Sequence, residues 1–453
     1  MTKVDVRIIP RPTAQGSVLF DPQSLSVARL TGEQRSRIER LVQAGFGSAP
    51  DLSDEESSDW AKLEQFRAAS NVSNATLSNT TVNQLTLSNT YTCNMGCTYC
   101  YNELDLKPVK GSESRDAMTE ETAASAIDQV MSELPDGGSL KLFFIGGEPL
   151  LEPKLLRFAV AHARRVGEPR NISVRPTIYT NATLVTSDVL AWVKEEGVSV
   201  VVSIDGPGVL NANRVYLSGR PTIHVVLRNL KRLRPTQSLH RVRAVSTPAT
   251  PILPLHKYLF ALGFNEIHVQ PLYDSAGISH VTNDDMLGLL DWWKGLLLEG
   301  TVIDIMPFSA YFVKLITQGR AISSWLPCNA AKNAVTVGPD GRVYSCHHAI
   351  EEPQYVMGTV STGMPDATTR RDFYHPVDDR SSCSRCWAKH VCGGECYHRA
   401  TSAGLQQDDV LPATCQERRT LIGLALDAFA EVASGRPDSL ARLARGMYSV
   451  KGQ

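Results

Sequence analysis

Along the chain, short apolar runs alternate with stretches in which apolar residues recur every three to four positions, the two periods of buried strands and amphipathic helices. The clearest series lies between residues 82 and 271. Its pattern predicts strands at 82–87, 140–145, 172–179, 198–204, 241–245 and 267–269, and helices at 119–134, 153–165, 187–196, 222–233 and 252–262. Strands separated by helices imply a parallel sheet, and the regular repetition implies part of a barrel, with active groups at the carboxyl ends of the strands. The expected fold class is therefore α/β, a partial (β/α)6 TIM-like barrel.

A small α+β unit precedes the barrel, with strands at 6–9, 17–20 and 25–27. Its helix opens on a capping box of Thr31 and Gln34, and Ile38, Leu41 and Val42 follow at helical spacing. Residues 46–80 are polar, and Asp51, Asp54, Glu55, Glu56 and Asp59 read as the solvated face of a linker with a short helix near Trp60. Beyond the barrel, 283–320 reads as helices with core aromatics at Trp292, Trp293, Phe308, Tyr311 and Phe312. A hairpin turns at Pro339-Asp340-Gly341, and 416–447 is helical with a break at Gly435-Arg436-Pro437. Domains are expected at 1–80, 81–320 and 321–453.

Composition narrows the classes without naming one. With 42% hydrophobic residues, 21% charged residues and a net charge of -1, the chain has the balance of an average soluble protein. It carries no electrostatic footprint for nucleic acid or an anionic membrane. No apolar run reaches membrane-spanning length and the first residues carry no signal-peptide core, so a cytoplasmic location is expected.

The cysteines change the picture. Ten of them suit a disulfide framework only in a small secreted chain, and here they fall in two groups. Cys93, Cys97 and Cys100 follow the first barrel strand at CxxxCxxC spacing, and seven more lie between Cys328 and Cys415. Such groups are metal sites in character. Three thiolates can hold three irons of a [4Fe–4S] cluster and leave the fourth open to a substrate or cofactor.

The triplet, with Tyr99 before its last cysteine, resembles the signature of the radical S-adenosylmethionine enzymes. Cys328, Gly341, Cys346, then Cys383, Cys386, Cys392 and Cys396 at CxxCxxxxxCxxxC spacing, then Cys415, resemble the SPASM domain carried by many of them. Gly146-Gly147-Glu148-Pro149 is similar to the family's GGEP motif, which implies close backbone approach at the glycines and a glutamate that accepts from the methionine amino group. Thr180-Asn181 and Ser203-Ile204-Asp205-Gly206-Pro207 resemble segments that approach the ribose and carboxylate. Ala182 stands where the family has glycine, and Arg214 is a further candidate for the carboxylate.

The resemblance implies S-adenosylmethionine as cofactor, cleaved by a reduced cluster to a 5′-deoxyadenosyl radical that takes hydrogen from an unactivated carbon. It also implies two auxiliary [4Fe–4S] clusters. Cys383, Cys386, Cys392 and Cys415 would hold a complete one, and Cys328, Cys346 and Cys396 an incomplete one, with His347, water or a substrate thiolate as the missing ligand. Partners expected are a ribosomally synthesised peptide or small protein and an electron donor such as flavodoxin or ferredoxin, with no nucleic acid and no membrane. The expected function is a peptide maturase of the kind that builds thioether or carbon–carbon crosslinks, as in peptide natural products or quinohemoprotein amine dehydrogenase. The alternatives are a sulfatase-type formylglycine maturase and a non-catalytic iron–sulfur or zinc-binding protein.

Overall fold

The computed structural model describes residues 7–10, 17–43, 53–59, 61, 81–100, 117–273 and 278–452. The expected start of the first strand at Val6, most of the acidic linker and Trp60 lie outside them. The chain divides into two compact units, Thr80–Tyr273 with Asn329–Tyr374, and Met1–Asn79 with Asp274–Cys328 and His375–Gln453.

The first unit is the barrel. Strands Gln84–Ser88, Ser139–Ile145, Ser173–Thr180, Ser199–Ser203, Leu239–Ser246 and Glu266–Pro271 are parallel and adjacent in chain order. Helices Glu120–Glu133, Pro153–Gly167, Ser187–Glu195, Ile223–Leu233 and Ile252–Ala261 connect them. Local chemistry sets several starts: Thr119 and Thr186 accept from Thr122 N and Val189 N as N-caps, and Pro153 opens its helix without the amide a helix start leaves unpaired.

Alternation along the strands sorts the side chains into two layers. Leu140, Leu142 and Phe144 are fully buried, as are Val202, Val242 and Ile267, and each such burial contributes about 1.5–3 kcal/mol. Phe143, Tyr179 and Arg243 fall on the other face. There Phe143 meets Tyr179 edge-on at 5.8 Å and the Arg243 guanidinium stacks on Tyr179 at 4.9 Å.

The expected hairpin is present as Ala334–Val337 and Arg342–Tyr344, and its first strand pairs in parallel with Gln84–Ser88, Ala334 opposite Gln84. Val356–Thr359 then pairs with the second. Residues Asn329–Tyr374 thus group with the barrel, because main-chain bonds continue its sheet.

The second unit begins with an antiparallel sheet of Arg7–Pro10, Ser17–Asp21 and Ser26–Leu30. Helix Gly32–Gln43 follows on the anticipated capping box, with Gln34 N donating to Thr31 Oγ1 at 3.2 Å and Thr31 N to Gln34 Oε1 at 3.0 Å. Helices Asn283–Glu299, Phe308–Ile316, Pro412–Gly435 and Pro437–Gly452 surround an aromatic core. Trp293 and Phe312 lie 4.8 Å apart, and Phe312 meets Phe429 edge-on at 5.2 Å. No helix among the described residues is long and apolar enough to cross a membrane.

Candidate active site

The cysteine loop leaves the carboxyl end of the first barrel strand. Its glycine partners lie on the loop after the second strand, and their close approach is to this chain's own backbone. A Cβ on Gly146 would stand 2.3 Å from Thr90 O, and one on Gly147 would stand 2.0 Å from Thr92 O. Gly147 N donates to Thr90 O at 2.8 Å and Glu148 N to Thr92 O at 2.9 Å, which fixes the residues just before Cys93. Pro149 is buried, and its carbonyl accepts from Asn89 Nδ2 at 3.2 Å.

Glu148 is 1% exposed and braces the second strand against the third. Its carboxylate accepts from Thr180 Oγ1 at 2.7 Å, Asn181 N at 2.8 Å and Leu150 N at 3.1 Å. A carboxylate has about four lone-pair positions, so one acceptor position, on Oε2, is left for an incoming amino group. Burial raises the Glu148 pKa, and the hydrogen bonds from Asn181, Thr180 and Leu150 oppose it.

Asn181 carries the brace into the cysteine loop. Its Nδ2 donates to Asn94 Oδ1 at 2.9 Å and reaches Cys93 Sγ at 3.9 Å, while Asn94 Nδ2 donates to Thr183 Oγ1 at 2.8 Å. Ala182 sits at a φ of +58°, a left-handed conformation that glycine adopts without strain. On the other side, Gly96 N donates to Val215 O at 2.9 Å, and Thr98 Oγ1 to Asn213 Oδ1 at 2.8 Å.

A second buried group joins the fourth strand to the loop. Ser203 ends that strand half-buried, and Asp205, 1% exposed, follows. Asp205 Oδ1 accepts from Val245 N at 2.9 Å, its Oδ2 accepts from the Tyr99 hydroxyl, and that hydroxyl accepts from Arg214 Nη1 at 3.0 Å. Burial pushes Tyr99 and Asp205 upward, and Arg214 opposes both shifts. Burial also works against the charge on Arg214, but Tyr99, Asp205 and Cys97 outweigh it and hold the guanidinium above its ordinary value.

Cys93, Cys97 and Cys100 carry thiols that are not joined in disulfides. Burial, with Glu148, Cys97 and Cys100 nearby, pushes Cys93 up to about 12 against a hydrogen bond from Met95 N, and burial also raises Cys97. Three neighbouring thiols beside two buried carboxylates offer the donor chemistry of an iron–sulfur cluster, whose binding drives off the thiol protons. The residues therefore fit an iron–sulfur cluster.

The second unit gathers another thiol set. Burial raises Cys383 to about 11, and Cys392, Cys415 and Cys386 lie close enough to add to the shift. Gly393 and Gly394, at φ values of +80° and +92°, turn the chain there, and a Cβ on Gly393 would stand 2.3 Å from Ser323 O. Four thiols are the donor chemistry that a [4Fe–4S] cluster takes. Cys328 and Cys396 belong to this unit and Cys346 to the barrel unit. His347 and His348 follow Cys346 with their rings 4.3 Å apart, and His348 N donates to Cys346 Sγ at 3.4 Å.

Asn94, Thr183, Asn211 and Asn213 position the site without belonging to any expected motif. Asn211 Oδ1 accepts from Asp205 N at 3.0 Å, and its neighbour in the site, Thr222 Oγ1, donates to Arg214 O at 2.6 Å. The available signal was only their position, within the cysteine spacing or just beyond the matched segments.

Comparison with known proteins decides the family. The Radical SAM superfamily model matches residues 87–238, which hold the cysteine loop, Glu148, Asp205 and Arg214. The chain carries a radical SAM domain and is a radical SAM enzyme. Membership implies a [4Fe–4S] cluster and S-adenosylmethionine, and it sets aside the non-catalytic alternative.

Among curated relatives, a serine-type anaerobic sulfatase-maturating enzyme of Klebsiella aerogenes is 26% identical over 332 residues, 69% of this chain and 78% of its own length. A cysteine-type counterpart from Clostridium perfringens is 23% identical over 366 residues, 76% of this chain and 95% of its own. The structure of anSMEcpe with bound AdoMet superposes with a TM-score of 0.65 at 22% identity, covering 78% of this chain and 99% of that one. Streptococcus suis SuiB bound to precursor peptide SuiA gives 0.54 at 14% identity, covering 92% of this chain and 100% of that one. These structural matches establish the shared fold.

Proposed function

We propose that this enzyme is a SPASM-type maturase that modifies a ribosomally made peptide or a small protein. Cys93, Cys97 and Cys100 hold the initiating cluster. Cys383, Cys386, Cys392 and Cys415 hold a complete auxiliary one, and Cys328, Cys346 and Cys396 an incomplete one. The observation that carries this is the pair of separately built thiol groups, each set among buried charges. When bound, S-adenosylmethionine and the initiating cluster supply a 5′-deoxyadenosyl radical that removes hydrogen from an unactivated carbon.

The chain's own residues would bind and orient. Arg214, held by Tyr99 beside Cys97, is placed to balance a carboxylate, while Asp205 keeps the Tyr99 hydroxyl directed. Glu148 and Asn181 fix the cysteine loop rather than spend their polar groups on solvent. Phe143, Tyr179 and Arg243, packed together on the face of the sheet opposite Leu142 and Phe144, would give the target residue an aromatic setting. A flavodoxin or ferredoxin would deliver the electron.

Two outcomes each have a supporting observation. Crosslinking is favoured by the amino-terminal strand-and-helix unit and by a match, spanning 92% of this chain, to SuiB bound to its precursor peptide SuiA. Formylglycine formation is favoured by relatives named as serine-type and cysteine-type sulfatase-maturating enzymes.

The test is coexpression with a neighbouring short peptide and with sulfatase-derived peptides, followed by tandem mass spectrometry and hydrazide labelling. A crosslink joins two retained residues, lowers the mass by two hydrogens and leaves no aldehyde. Formylglycine labels with hydrazide. An unmodified product in every case, with no 5′-deoxyadenosine formed, would overturn the maturase assignment.

A further inference from the structure

The loop that gathers Cys383, Cys386, Cys392 and Cys415 is held by cations. Lys314, 4% exposed, donates to Val391 O at 2.7 Å and Cys392 O at 3.2 Å. Arg380, with a fully buried side chain, donates to His375 O and Glu395 O, both at 3.1 Å, and stacks on Tyr397 at 4.3 Å. The acids facing them are Glu395, 1% exposed, and the half-exposed Asp408 and Glu417.

Arg418 is placed differently, because it reaches a thiol directly. Its Nη1 donates to Gly394 O at 2.8 Å and stands 3.9 Å from Cys392 Sγ, and its Nη2 donates to Glu395 Oε1 at 3.0 Å. The planar fork divides its donors among a backbone carbonyl, a buried carboxylate and a sulfur, which a lysine ammonium cannot reproduce. Glu395 and Gly394 thus fix the guanidinium in place with a donor left for the sulfur.

Reducing an iron–sulfur cluster adds negative charge that is shared onto its thiolates. Donors and positive charge at those sulfurs stabilise the reduced form and raise the potential. We propose that Arg418 is a positioning residue of the second auxiliary cluster, whose contact with the Cys392 sulfur raises that cluster's reduction potential. The inference rests on the cluster assignment proposed above.

The experiment is a redox titration followed by electron paramagnetic resonance on the full-length, anaerobically reconstituted protein. The second cluster's signal is the one missing from Cys386→Ala. Arg418→Gln should keep its iron and move that signal's midpoint to more negative potential, with Arg418→Lys falling between. Arg419→Gln should leave it unmoved, since Arg419 is exposed, although it lies near enough to influence Cys415.

An Arg418→Gln midpoint equal to wild type overturns the proposal, as does an equal shift in Arg419→Gln. If Arg418→Gln fails to hold the cluster, the Arg418→Lys midpoint decides in the same way. A Cys386→Ala protein that loses neither iron nor signal overturns the cluster assignment itself, an outcome distinct from an unmoved midpoint.

Discussion

Gly147→Ala probes how the cysteine loop is held in register. A Cβ there would lie 2.0 Å from Thr92 O, 2.5 Å from Thr92 C and 2.7 Å from Tyr91 O. These are main-chain atoms with no rotamer to yield, so residues 90–92 must move by about 1 Å to restore tolerable contact. A shift of that size breaks the Gly147 N to Thr90 O and Glu148 N to Thr92 O bonds of 2.8 and 2.9 Å. Each leaves a buried group unpaired at about 1–3 kcal/mol, for a loss of about 2–6 kcal/mol in all.

Thr92 precedes Cys93, so the thiol moves with it. The assay pairs a urea unfolding midpoint with iron content after anaerobic reconstitution. Gly147→Ala should lower the midpoint and lose about four irons per chain, one cluster's worth. The control is Gly295→Ala, in the helix Asn283–Glu299 with nothing within 4 Å of the added Cβ. It should gain about 0.5–1 kcal/mol, the helix-interior difference between glycine and alanine. A Gly147→Ala protein as stable and as iron-rich as wild type would refute the close-approach argument.

Other positions give independent tests. Glu148→Gln keeps the volume but turns a donor toward at least one of Thr180, Asn181 and Leu150, so it should cost about 1–3 kcal/mol; an unchanged urea midpoint would contradict the brace. His256 is fully buried, and burial, reinforced by His268 against a hydrogen bond with Ile252, lowers its pKa from 6.5 to about 4. The unfolded chain takes up this proton first, so the contribution is complete above pH 6.5 and is lost as pH falls toward 4, by up to about 3 kcal/mol. His256→Leu should flatten the stability profile over that window, and profiles parallel to wild type would count against it. Asn94→Ala should lower iron retention with little change in global stability, as it frees the cysteine loop from Asn181 and Thr183.

The barrel was legible because its strands are continuous apolar runs and its helices keep a clean period. The expected helix at 153–165 ends two residues short of the observed Pro153–Gly167, and the capping box at Thr31 and Gln34 forms as read. Which strands become neighbours was not legible. Ala334–Val337 pairs with a strand some 250 residues earlier, and periodicity carries no information about partners that distant. Val356–Thr359 was missed because Gly358 and Thr359 interrupt its apolar run.

The site shows the same division. The cysteines stood out because thiols are rare at that spacing, and Glu148, Asp205 and Arg214 followed from the resemblance to the family's segments. Their local partners did not. Motif spacing singled out Gly146 and Gly147 but gave no hint that Thr90 and Thr92 are what they approach. The asparagines at 94, 211 and 213 hold the loop through side-chain amides, and asparagine in a polar loop is too common to single out.

The thiols at 93, 97 and 100 bear the most weight, and one measurement addresses them. Wild-type protein and Cys97→Ala, both reconstituted anaerobically, are supplied with S-adenosylmethionine and dithionite, and 5′-deoxyadenosine is quantified by chromatography. Wild type should release it with about twelve irons per chain, as three [4Fe–4S] clusters would carry, and Cys97→Ala should release none while keeping about eight. Equal release from the two proteins would contradict the assignment of the initiating cluster to this loop.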